Sequence, residues 1–595
     1  MTVIDSKSGS ALNFVERPSK LANGIPERSF WSVRPAAGNA PATTFLILAA
    51  ATLAAGGMRY WGIQFGLPHT ECRPDETPLV AIALQFFRND FNPHFFDWPT
   101  LFMYVVHAIY RLTYYAGRLT GAFGSLDDFT RWWTKDPGPL YLIPRYVSAL
   151  LGVATVPLVF SVARRLFDRT TALLAAWFLA LSFLHVRDSH FGVTDVPVTF
   201  LIVSAFSMIG KAYASPTRGA AVAAGVLAGL ATATKYNAAL IVAPMVVVLA
   251  LRPGESTRSD GSPAAVLQAG VRHRSSAAVW RDGILFTAAL IGAFIVASPY
   301  ALLDHRAFMT AALFDLHHLG GGHGVNLGRG LTYHLTFSLW HGLGWPLLIS
   351  ALAGIIVLTV MNFRQALIVC AFPVVYYLII GSGYTVFVRY MDPVVPFLCI
   401  TAAVFVRTAA AWLSAASRLP SQIPVSAVLA ALVVTPSAVN IVRLDRLLAK
   451  TDNRLIAGAW MDAHVAPGES IYQTGSGWGQ LQLTAQDRRS SDESEFNPLT
   501  QRFALRNRPA DIPPDWIVVQ ESPVRVYTRV PWQLRDVIDH QYDLTTRFIG
   551  MDTRAWANKF DQQDAFFVPF AGFERIARPG PNFFIYRRKP LTSVP

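Results

Sequence analysis

The feature that most constrains this chain is a series of apolar runs, each long enough or nearly long enough to cross a lipid bilayer. A transmembrane helix needs about 20 predominantly apolar residues. Nine uninterrupted runs fall at 43–67, 142–163, 171–187, 196–212, 283–300, 344–361, 365–381, 392–410 and 424–440. A further run, 219–250, is interrupted by Lys235, Tyr236 and Asn237, and two short spans that meet at this tripeptide explain it better than one very long helix. The sequence therefore predicts an α-helical polytopic membrane protein with about eleven transmembrane helices.

Composition and charge agree with a membrane protein. Of the 595 residues, 52% are hydrophobic and 15% are charged, whereas about 25% of an ordinary soluble protein is charged. The net charge of +13 would suggest nucleic-acid binding in a soluble protein, but here Lys and Arg gather in short tracts between the apolar runs. This distribution indicates membrane topology and contact with anionic lipid, and no nucleic-acid partner. The three cysteines, Cys72, Cys370 and Cys399, form neither a zinc pattern nor a disulfide framework.

The basic tracts decide how the stretch 98–118 is placed. This stretch is apolar and aromatic but contains His107, Arg111 and Arg118. If it spanned the membrane, the tract at 164–169 would face outward, against the rule that basic tracts stay in the cytoplasm. We therefore predict that 98–118 is an amphipathic helix lying in the membrane interface. The N-terminus is then inside and the C-terminus outside.

This topology divides the chain into three parts. Residues 1–42 are predicted to be a cytoplasmic tail, and the run after them lacks a small-residue cleavage site and so indicates a signal anchor. Residues 43–440 form the membrane domain, with a first outer loop at 68–141. Residues 441–595 are predicted to be an extracytoplasmic α/β domain. No repeat of 20–50 residues is evident, which counts against the inverted-repeat transporters.

Acidic residues collect on the predicted outer face. Asp75, Glu76 and Asp97 lie in the first outer loop, and Asp195 lies at the hinge between an outgoing and a returning span. Acidic side chains are costly at a membrane surface, so such a cluster favours a functional site. The structural alternatives are a solvated loop and ordinary helix caps. As a site, two or three carboxylates could bind a divalent metal ion, and one could take a proton from an acceptor.

Cationic and imidazole side chains reach the same face. Lys235 and Arg389 suit a phosphate, because Arg binds phosphate bidentately and Lys acts as a point charge. Their alternative explanation is snorkelling at helix ends. His317, His318 and His323 could ligate a metal, but they lack an i, i+4 pair with a carboxylate, which favours a polar loop.

The order of several short motifs resembles the GT-C superfamily of polyprenyl-phosphate-sugar-dependent glycosyltransferases. Among these, the family 39 protein mannosyltransferases and the lipid A aminoarabinose transferases are the most similar groups. The resemblance covers nearly the whole membrane part and rests on the order and spacing of the motifs together. In chain order they are RPDET, NPHFFDWPTLFMY, LIPRYVSALLGVATVPLVFSVARRLFDRTTALLAAWFLALS, VTDVPVTF, GLATATKYNAAL, SPYALLD and VRYMDPVVPFL.

The resemblance implies an outward-facing site where a sugar leaves a polyprenyl phosphate carrier with inversion. Asp75 matches the catalytic acidic residue that would deprotonate the acceptor hydroxyl, and Glu76 would position Asp75 or the acceptor. Asp97 and Asp195 match acidic positions that hold a metal or shape the phosphate site in relatives. The implied partners are a polyprenyl-phosphate sugar donor, an acceptor that is a protein, a lipid or a cell-envelope glycan, and the lipid bilayer. The implied location is the inner (plasma) membrane.

Lys235 and Arg389 are candidates for stabilising the leaving phosphate. The aminoarabinose transferases have a lysine beside the acidic residue before the proline, where this chain has Trp98, so the sugar stays open. The alternatives to a transferase are a transporter or flippase that uses the acidic residues as a proton relay, and a catalytically inactive scaffold that binds carrier lipid.

Overall fold

The structure is a computed structural model that describes residues 41–251, 276–417, 422–483, 494–505, 508–509 and 513–590. The predicted cytoplasmic tail, apart from its last two residues, and most of the basic loop 252–282 lie outside the described residues.

Helices make up most of the chain from residue 41 to residue 464. In chain order the α-helices are α1 Pro41–Tyr60, α2 Glu76–Gln85, α3 Leu101–Leu119, α4 Leu126–Lys135, α5 Gly138–Leu166, α6 Arg169–Ala180, α7 Phe183–Asp188, α8 Asp195–Ala214, α9 Arg218–Thr232, α10 Val242–Leu251, α11 Ser276–Ala297, α12 Tyr300–Leu303, α13 His305–Gly321, α14 Gly330–Tyr333, α15 Trp340–Leu343, α16 Trp345–Met361, α17 Phe363–Ile380, α18 Val395–Ala416, α19 Ile423–Leu448, α20 Asn453–His464, α21 Arg525–Thr528 and α22 Trp532–Gln541. Short 3₁₀ helices include Tyr236–Ile241 and Val388–Val394, and a π-helix covers His334–Leu339.

Side-chain caps fix where several helices begin. The carboxylate or hydroxyl of Asp168, Thr217 and Asp452 accepts a backbone N–H at the start of α6, α9 and α20. The amide oxygen of Asn362 does the same for α17. Each cap satisfies a donor that the first helical turn leaves without an intrahelical partner.

Within the described ranges, seven helices are long and apolar enough to cross a membrane. The count becomes eight if the bent pair Gly330–Leu343 and Trp345–Met361, with an angle of 115° between its halves, is one span. The multi-pass α-helical membrane protein predicted from the sequence is confirmed, but the number of about eleven is not. The difference arises from three short apolar helices, Arg169–Ala180, Arg218–Thr232 and Tyr236–Leu251, which fall below the length needed to cross alone.

The predicted interruption of the run 219–250 is confirmed. Helix α9 ends at Thr232, and Lys235 adopts an extended backbone with φ −156° and ψ 127°. The chain then resumes as the 3₁₀ helix Tyr236–Ile241 and continues into α10. The break places the Lys235 side chain at the junction of two apolar helices instead of along the side of one.

Helix α3 covers the stretch that was predicted to be amphipathic. One face buries Phe102, Val106 and Tyr110, while Leu112 and Leu119 on another face are exposed. The helix packs on α2 and is not among the helices apolar enough to span. Its amphipathic character is therefore observed, and its position in the membrane interface stays a prediction.

The C-terminal part contains the small sheet region that the sequence predicted. Its strands are β1 Ile471–Gln473, β2 Ser494–Asn497, β3 Arg502–Leu505, β4 Arg508–Pro509, β5 Trp516–Glu521, β6 Tyr542–Phe548 and β7 Asn582–Arg588. One sheet has the order β1-β5-β7-β6, in which β1 and β5 are parallel and the other pairs antiparallel. Strands β2, β3 and β4 form a second, antiparallel sheet.

Residues 559–573, which we call the docking segment, connect this part to the membrane helices. Phe566 and Phe570 of the segment are buried. The ring of Phe566 lies 5.7 Å from that of Phe65 and 5.0 Å from that of Phe191. The ring of Phe570 lies 5.5 Å from that of Phe183. Buried aromatic contacts of this kind are strongly stabilising, so the docking segment is packed into the membrane part.

Candidate active site

Arg389 is the centre of the site. It lies in the 3₁₀ helix that precedes α18, and its guanidinium carbon is 4.1 Å from the centre of the Phe387 ring. Each of its three nitrogens faces a different carboxylate: Nη2 is 2.8 Å from Asp75 Oδ2, Nη1 is 3.0 Å from Asp564 Oδ2, and Nε is 3.8 Å from Asp195 Oδ2. The three carboxylates come from the loop between α1 and α2, the start of α8 and the docking segment. A planar guanidinium held at three corners has a single orientation.

Asp75 is the carboxylate of this group that faces open space. It directly precedes α2, and its side chain is 25% exposed, against 3% for Asp195 and 4% for Asp564. Its Oδ2 receives Arg389 and, at 3.4 Å, Arg73 Nη2. Asp75 can therefore meet a bound molecule while its charge is balanced by two guanidinium groups.

Asp195 and Lys235 form a second pair beside Arg389. Asp195 is the first residue of α8, and Lys235 Nζ donates to its Oδ1 at 2.5 Å. Lys235 Nζ also lies 4.8 Å from the centre of the Tyr390 ring, and its side chain is 15% exposed. The structure thus brings together four of the predicted residues, which are Asp75, Asp195, Lys235 and Arg389.

Glu76 lies in a different environment from its neighbour. Its side chain is fully buried. The Glu76 carboxylate accepts hydrogen bonds from Arg145 Nη2 at 2.7 Å and from the Gly192 N–H at 2.7 Å. Arg145 also donates to the carbonyls of Ile63 and Phe65. Both predicted roles, positioning of Asp75 and positioning of the acceptor, stay predictions, and the enclosed pair with Arg145 leaves no open space for direct contact with an acceptor. Positioning of Asp75 through the start of α2 is compatible with this burial.

Asp97 is not among the carboxylates that face Arg389. No ion pair joins it to another side chain within the described part of the chain. Its neighbours are His318 and Asp315 of α13. Burial raises the pKa of Asp97, and the nearby His318 partly offsets this effect. The pKa of Asp315 is raised to about 7, first by burial and then by the Asp97 carboxylate.

The predicted metal site formed by Asp97 and Asp195 does not fit the structure. Across the ranges that the structure describes, no group of three or more His, Cys, Asp or Glu side chains is placed to hold a metal ion. Asp195 is already bound by Lys235 and faces Arg389, and these cations would repel a divalent ion. His318 Nε2 lies 3.0 Å from His323 Nδ1, and the exposed His317 bonds only to the Leu313 carbonyl.

Sequence reasoning missed three charged residues behind the exposed site. Arg73 Nη1 is 2.5 Å from Asp564 Oδ1, and Arg187 Nη2 is 4.0 Å from Asp564 Oδ2. Arg187 Nη1 also contacts Asp188 Oδ1 at 2.5 Å. The signal for Arg73 was its place two residues before Asp75 in RPDET. Asp564 gave no signal, because nothing in the sequence shows that this distant segment returns to the membrane helices.

Electrostatics distinguishes the two acidic residues of the docking segment. Burial acts to raise the pKa of Asp564, but Arg73, Arg389 and Arg187 together outweigh it and hold that pKa at about 2. Burial and the neighbouring Asp564 raise the pKa of Asp561 to about 6. Asp564 is therefore a permanent anion inside a cluster of arginines.

Part of the chain matches a known protein family. Residues 143–271 match the family described as dolichyl-phosphate-mannose-protein mannosyltransferase. The matched part includes Asp195 and Lys235 but neither Asp75 nor Arg389. Over these residues the match confirms the resemblance to GT-C glycosyltransferases that the motifs indicated. No curated protein matches the sequence.

The fold is also similar to solved membrane proteins. The archaeal oligosaccharyltransferase AglB from Archaeoglobus fulgidus, in complex with an inhibitory peptide and a dolichol-phosphate, is 13% identical with a TM-score of 0.43. The alignment covers 72% of this chain and 58% of that one. ArnT from Cupriavidus metallidurans, bound to undecaprenyl phosphate, is 16% identical with a TM-score of 0.47, and 73% of this chain and 82% of that one are covered. The structure of the same archaeal oligosaccharyltransferase with Zn and sulfate is 12% identical with a TM-score of 0.42, and 73% and 60% are covered. In these two alignments, this chain spans less than two thirds of the oligosaccharyltransferase.

Proposed function

We propose that this multi-pass membrane protein is a glycosyltransferase that moves a sugar, a hexose or a pentose, from a polyprenyl-phosphate carrier to an acceptor. The reaction takes place at the outer face of the inner (plasma) membrane, and the acceptor is a protein, a lipid or a cell-envelope glycan. The observation that carries the proposal is the partly exposed carboxylate of Asp75 bonded to Arg389, with Lys235 close by. The family match over residues 143–271 supports it.

The geometry suits a single displacement. Asp75 takes the proton of an acceptor hydroxyl, whose oxygen attacks the anomeric carbon from the face opposite the phosphate. The new bond from this oxygen to carbon forms as the bond between the carbon and the phosphate oxygen breaks, and the carrier phosphate leaves with the electron pair. The configuration at the anomeric carbon is thereby inverted. Because Asp75 is partly exposed, its proton can then return to water.

Arg389 and Lys235 have the complementary role. Lys235 is partly exposed and Arg389 is nearly buried, and both lie next to the carboxylates. Negative charge grows on the phosphate as the glycosidic bond breaks, and fixed cations stabilise that charge most in the transition state. Arg389 contacts the base directly, so one guanidinium links the site of proton removal to the site of charge development. No step requires a metal ion.

The transporter or flippase alternative makes a different use of the same residues. A buried ion pair such as Lys235 with Asp195 is a feature of proton relays in membrane proteins. The family match favours transfer over transport. Movement of a lipid-linked sugar across reconstituted vesicles without release of the sugar would support the alternative.

A donor panel tests the proposal. Purified wild-type protein and the Asp75→Asn variant are incubated with radiolabelled polyprenyl-phosphate sugars and a set of cell-envelope acceptors. Asp90→Asn is the matched control, because Asp90 is an exposed carboxylate nearby in the sequence that pairs with the exposed His94 and accepts from the Asn92 N–H. We expect transfer from at least one donor by the wild type and the control but not by Asp75→Asn. Equal transfer by Asp75→Asn would contradict the mechanism, and no transfer from any donor, with the carrier lipid bound, would favour transport or binding.

A further inference from the structure

The docking segment is fastened to the stretch that leads into Arg389. The Gln563 side chain accepts from the Val386 N–H at 2.7 Å, and its Nε2 donates to the Val325 carbonyl at 2.9 Å and to the Tyr384 carbonyl at 3.1 Å. The Asp561 carboxylate accepts from the Val388 N–H at 3.1 Å. The side chains of Gln563 and Asp561, which are distant in the sequence, therefore hydrogen-bond to the backbone immediately before Arg389. Paired buried backbone groups of this kind fix the position of a loop.

Asp564 extends this attachment to the guanidinium itself. Its Oδ2 receives Arg389 Nη1 at 3.0 Å, while its Oδ1 receives Arg73 Nη1 at 2.5 Å. Arg73 also reaches Asp75 at 3.4 Å. One carboxylate thus holds two arginines that both contact the proposed base.

We propose that Asp564 is a positioning residue of the active site, which orients Arg389 against Asp75, so that the C-terminal domain completes a site otherwise formed by the membrane helices. The inference rests on the proposed function. It assigns to Asp564 no contact with either substrate. Its effect on transfer passes through Arg389.

Burial distinguishes this role from that of a phosphate substitute. A carboxylate that merely occupied an anion site would leave when the donor phosphate arrives. Here the Asp564 side chain is only 4% exposed and that of Arg73 is fully buried. The residues just before Asp564 are held by the Gln563 and Asp561 bonds. The Phe566 ring centre lies 5.8 Å from the guanidinium carbon of Arg73, the second partner of Asp564. The geometry therefore favours an Asp564 that stays in place when the donor binds over an Asp564 that the donor phosphate displaces.

A double-mutant cycle tests the inference. The variants are Asp564→Asn, Arg389→Lys and the double variant, with kcat and donor KM measured for each. We expect Asp564→Asn to lower kcat by about 10- to 100-fold with a smaller change in KM, because a charge-assisted bond to Arg389 is lost. In the Arg389→Lys background, Asp564→Asn should cost little more, since residues that act through one another are not additive. Asp536→Asn is the control, because Asp536 is an exposed carboxylate of the same domain that pairs only with His540.

Four results would overturn the inference. The first is unchanged transfer by Asp564→Asn, and the second is a lower donor KM at unchanged kcat in that variant. The third is a loss of kcat in the double variant equal to the product of the two single losses. The fourth is a loss of kcat in the control Asp536→Asn as large as that in Asp564→Asn. If Asp564→Asn does not fold, Asp564→Glu keeps the charge but displaces it, and a lower kcat at unchanged thermal stability supports the same role. Full kcat in that folded variant contradicts it.

The cycle also remains decisive if the wild type transfers no sugar. In that case the proposed function fails, and the same four proteins are compared by their thermal stabilisation with undecaprenyl phosphate. Non-additive losses of stabilisation would still show that Asp564 acts through Arg389, and additive losses would show that it does not.

Discussion

At the residue scale, the site depends on how one guanidinium is shared. Arg389 contacts Asp75 and Asp564 directly and faces Asp195 at a longer distance. Such a group has no freedom to turn away from the base when a substrate binds. A lysine at the same place would bring one charge, a flexible stem and no planar arrangement of donors.

Replacement of Arg389 by lysine should therefore impair transfer. We expect Arg389→Lys to lower the rate by about 10²- to 10³-fold, the usual cost of removing one preorganised donor from a transition state. The matched control is Arg407→Lys. Arg407 lies in α18 and forms a partly exposed ion pair with Asp168, the residue that caps α6. Initial rates with the donor identified by the panel measure both variants. Similar rates for Arg389→Lys and the control would contradict the assigned role.

Asp315 predicts a dependence of stability on pH. Burial and then Asp97 raise its pKa to about 7 from an ordinary value of 3.8. The folded protein therefore binds this proton more tightly than the unfolded chain does, and the charged carboxylate destabilises the fold as pH rises from about 4 through 7. Asp315→Asn removes that charge, so its thermal stability relative to wild type should be higher at pH 8 than at pH 5. The exposed Asp543→Asn variant should show no such change with pH, and a flat difference for Asp315→Asn would contradict the assignment.

The sequence indicated the four charged residues that meet at Arg389 but not those behind them. Asp75, Asp195, Lys235 and Arg389 were predictable because charges beside apolar runs are costly and therefore conspicuous. Asp97 carried the same signal, yet it lies with Asp315 instead of Asp195. A one-dimensional pattern places a residue on a face of the membrane, but it does not say which neighbours share that face.

At the element scale, interruptions of helices build the site. Lys235 reaches Asp195 because the chain leaves helical geometry between α9 and the 3₁₀ helix Tyr236–Ile241. Arg389 likewise lies in a 3₁₀ helix ahead of α18. The first interruption could be predicted, since a polar tripeptide divided an apolar run. The lengths of α6 and α9 could not, because an apolar run does not reveal how many of its residues are helical.

The position of α3 decides which residues share the outer face. If α3 lies in the interface as predicted, Asp127 in the following α4 is on the same side of the membrane as Asp75, and Arg169 at the start of α6 is on the other. We expect a membrane-impermeant maleimide to label Asp127→Cys but not Arg169→Cys in intact cells. Both are near-surface positions, and permeabilised cells provide the control in which both react. Labelling of Arg169→Cys and protection of Asp127→Cys would mean that α3 spans the membrane.

At the scale of the whole molecule, two regions far apart in the sequence form one site. The membrane helices and the loops between them supply Asp75, Asp195, Lys235 and Arg389, and the docking segment supplies Asp564 behind them. The sequence predicted the membrane class, the break after α9 and a C-terminal α/β part. It did not predict the contact between the two, because long-range packing of Phe566 and Phe570 leaves no periodic pattern.

The measurement that tests the central claim most directly is single-turnover transfer by Asp75→Asn with the donor already bound. The account predicts that carrier binding persists, because the amide retains the shape of Asp75. It also predicts that the transfer step slows by about 10²- to 10⁴-fold, since the acceptor hydroxyl has lost its base. A transfer step within a few-fold of wild type would contradict Asp75 as the base. Persistent binding with a strongly slowed step would establish it.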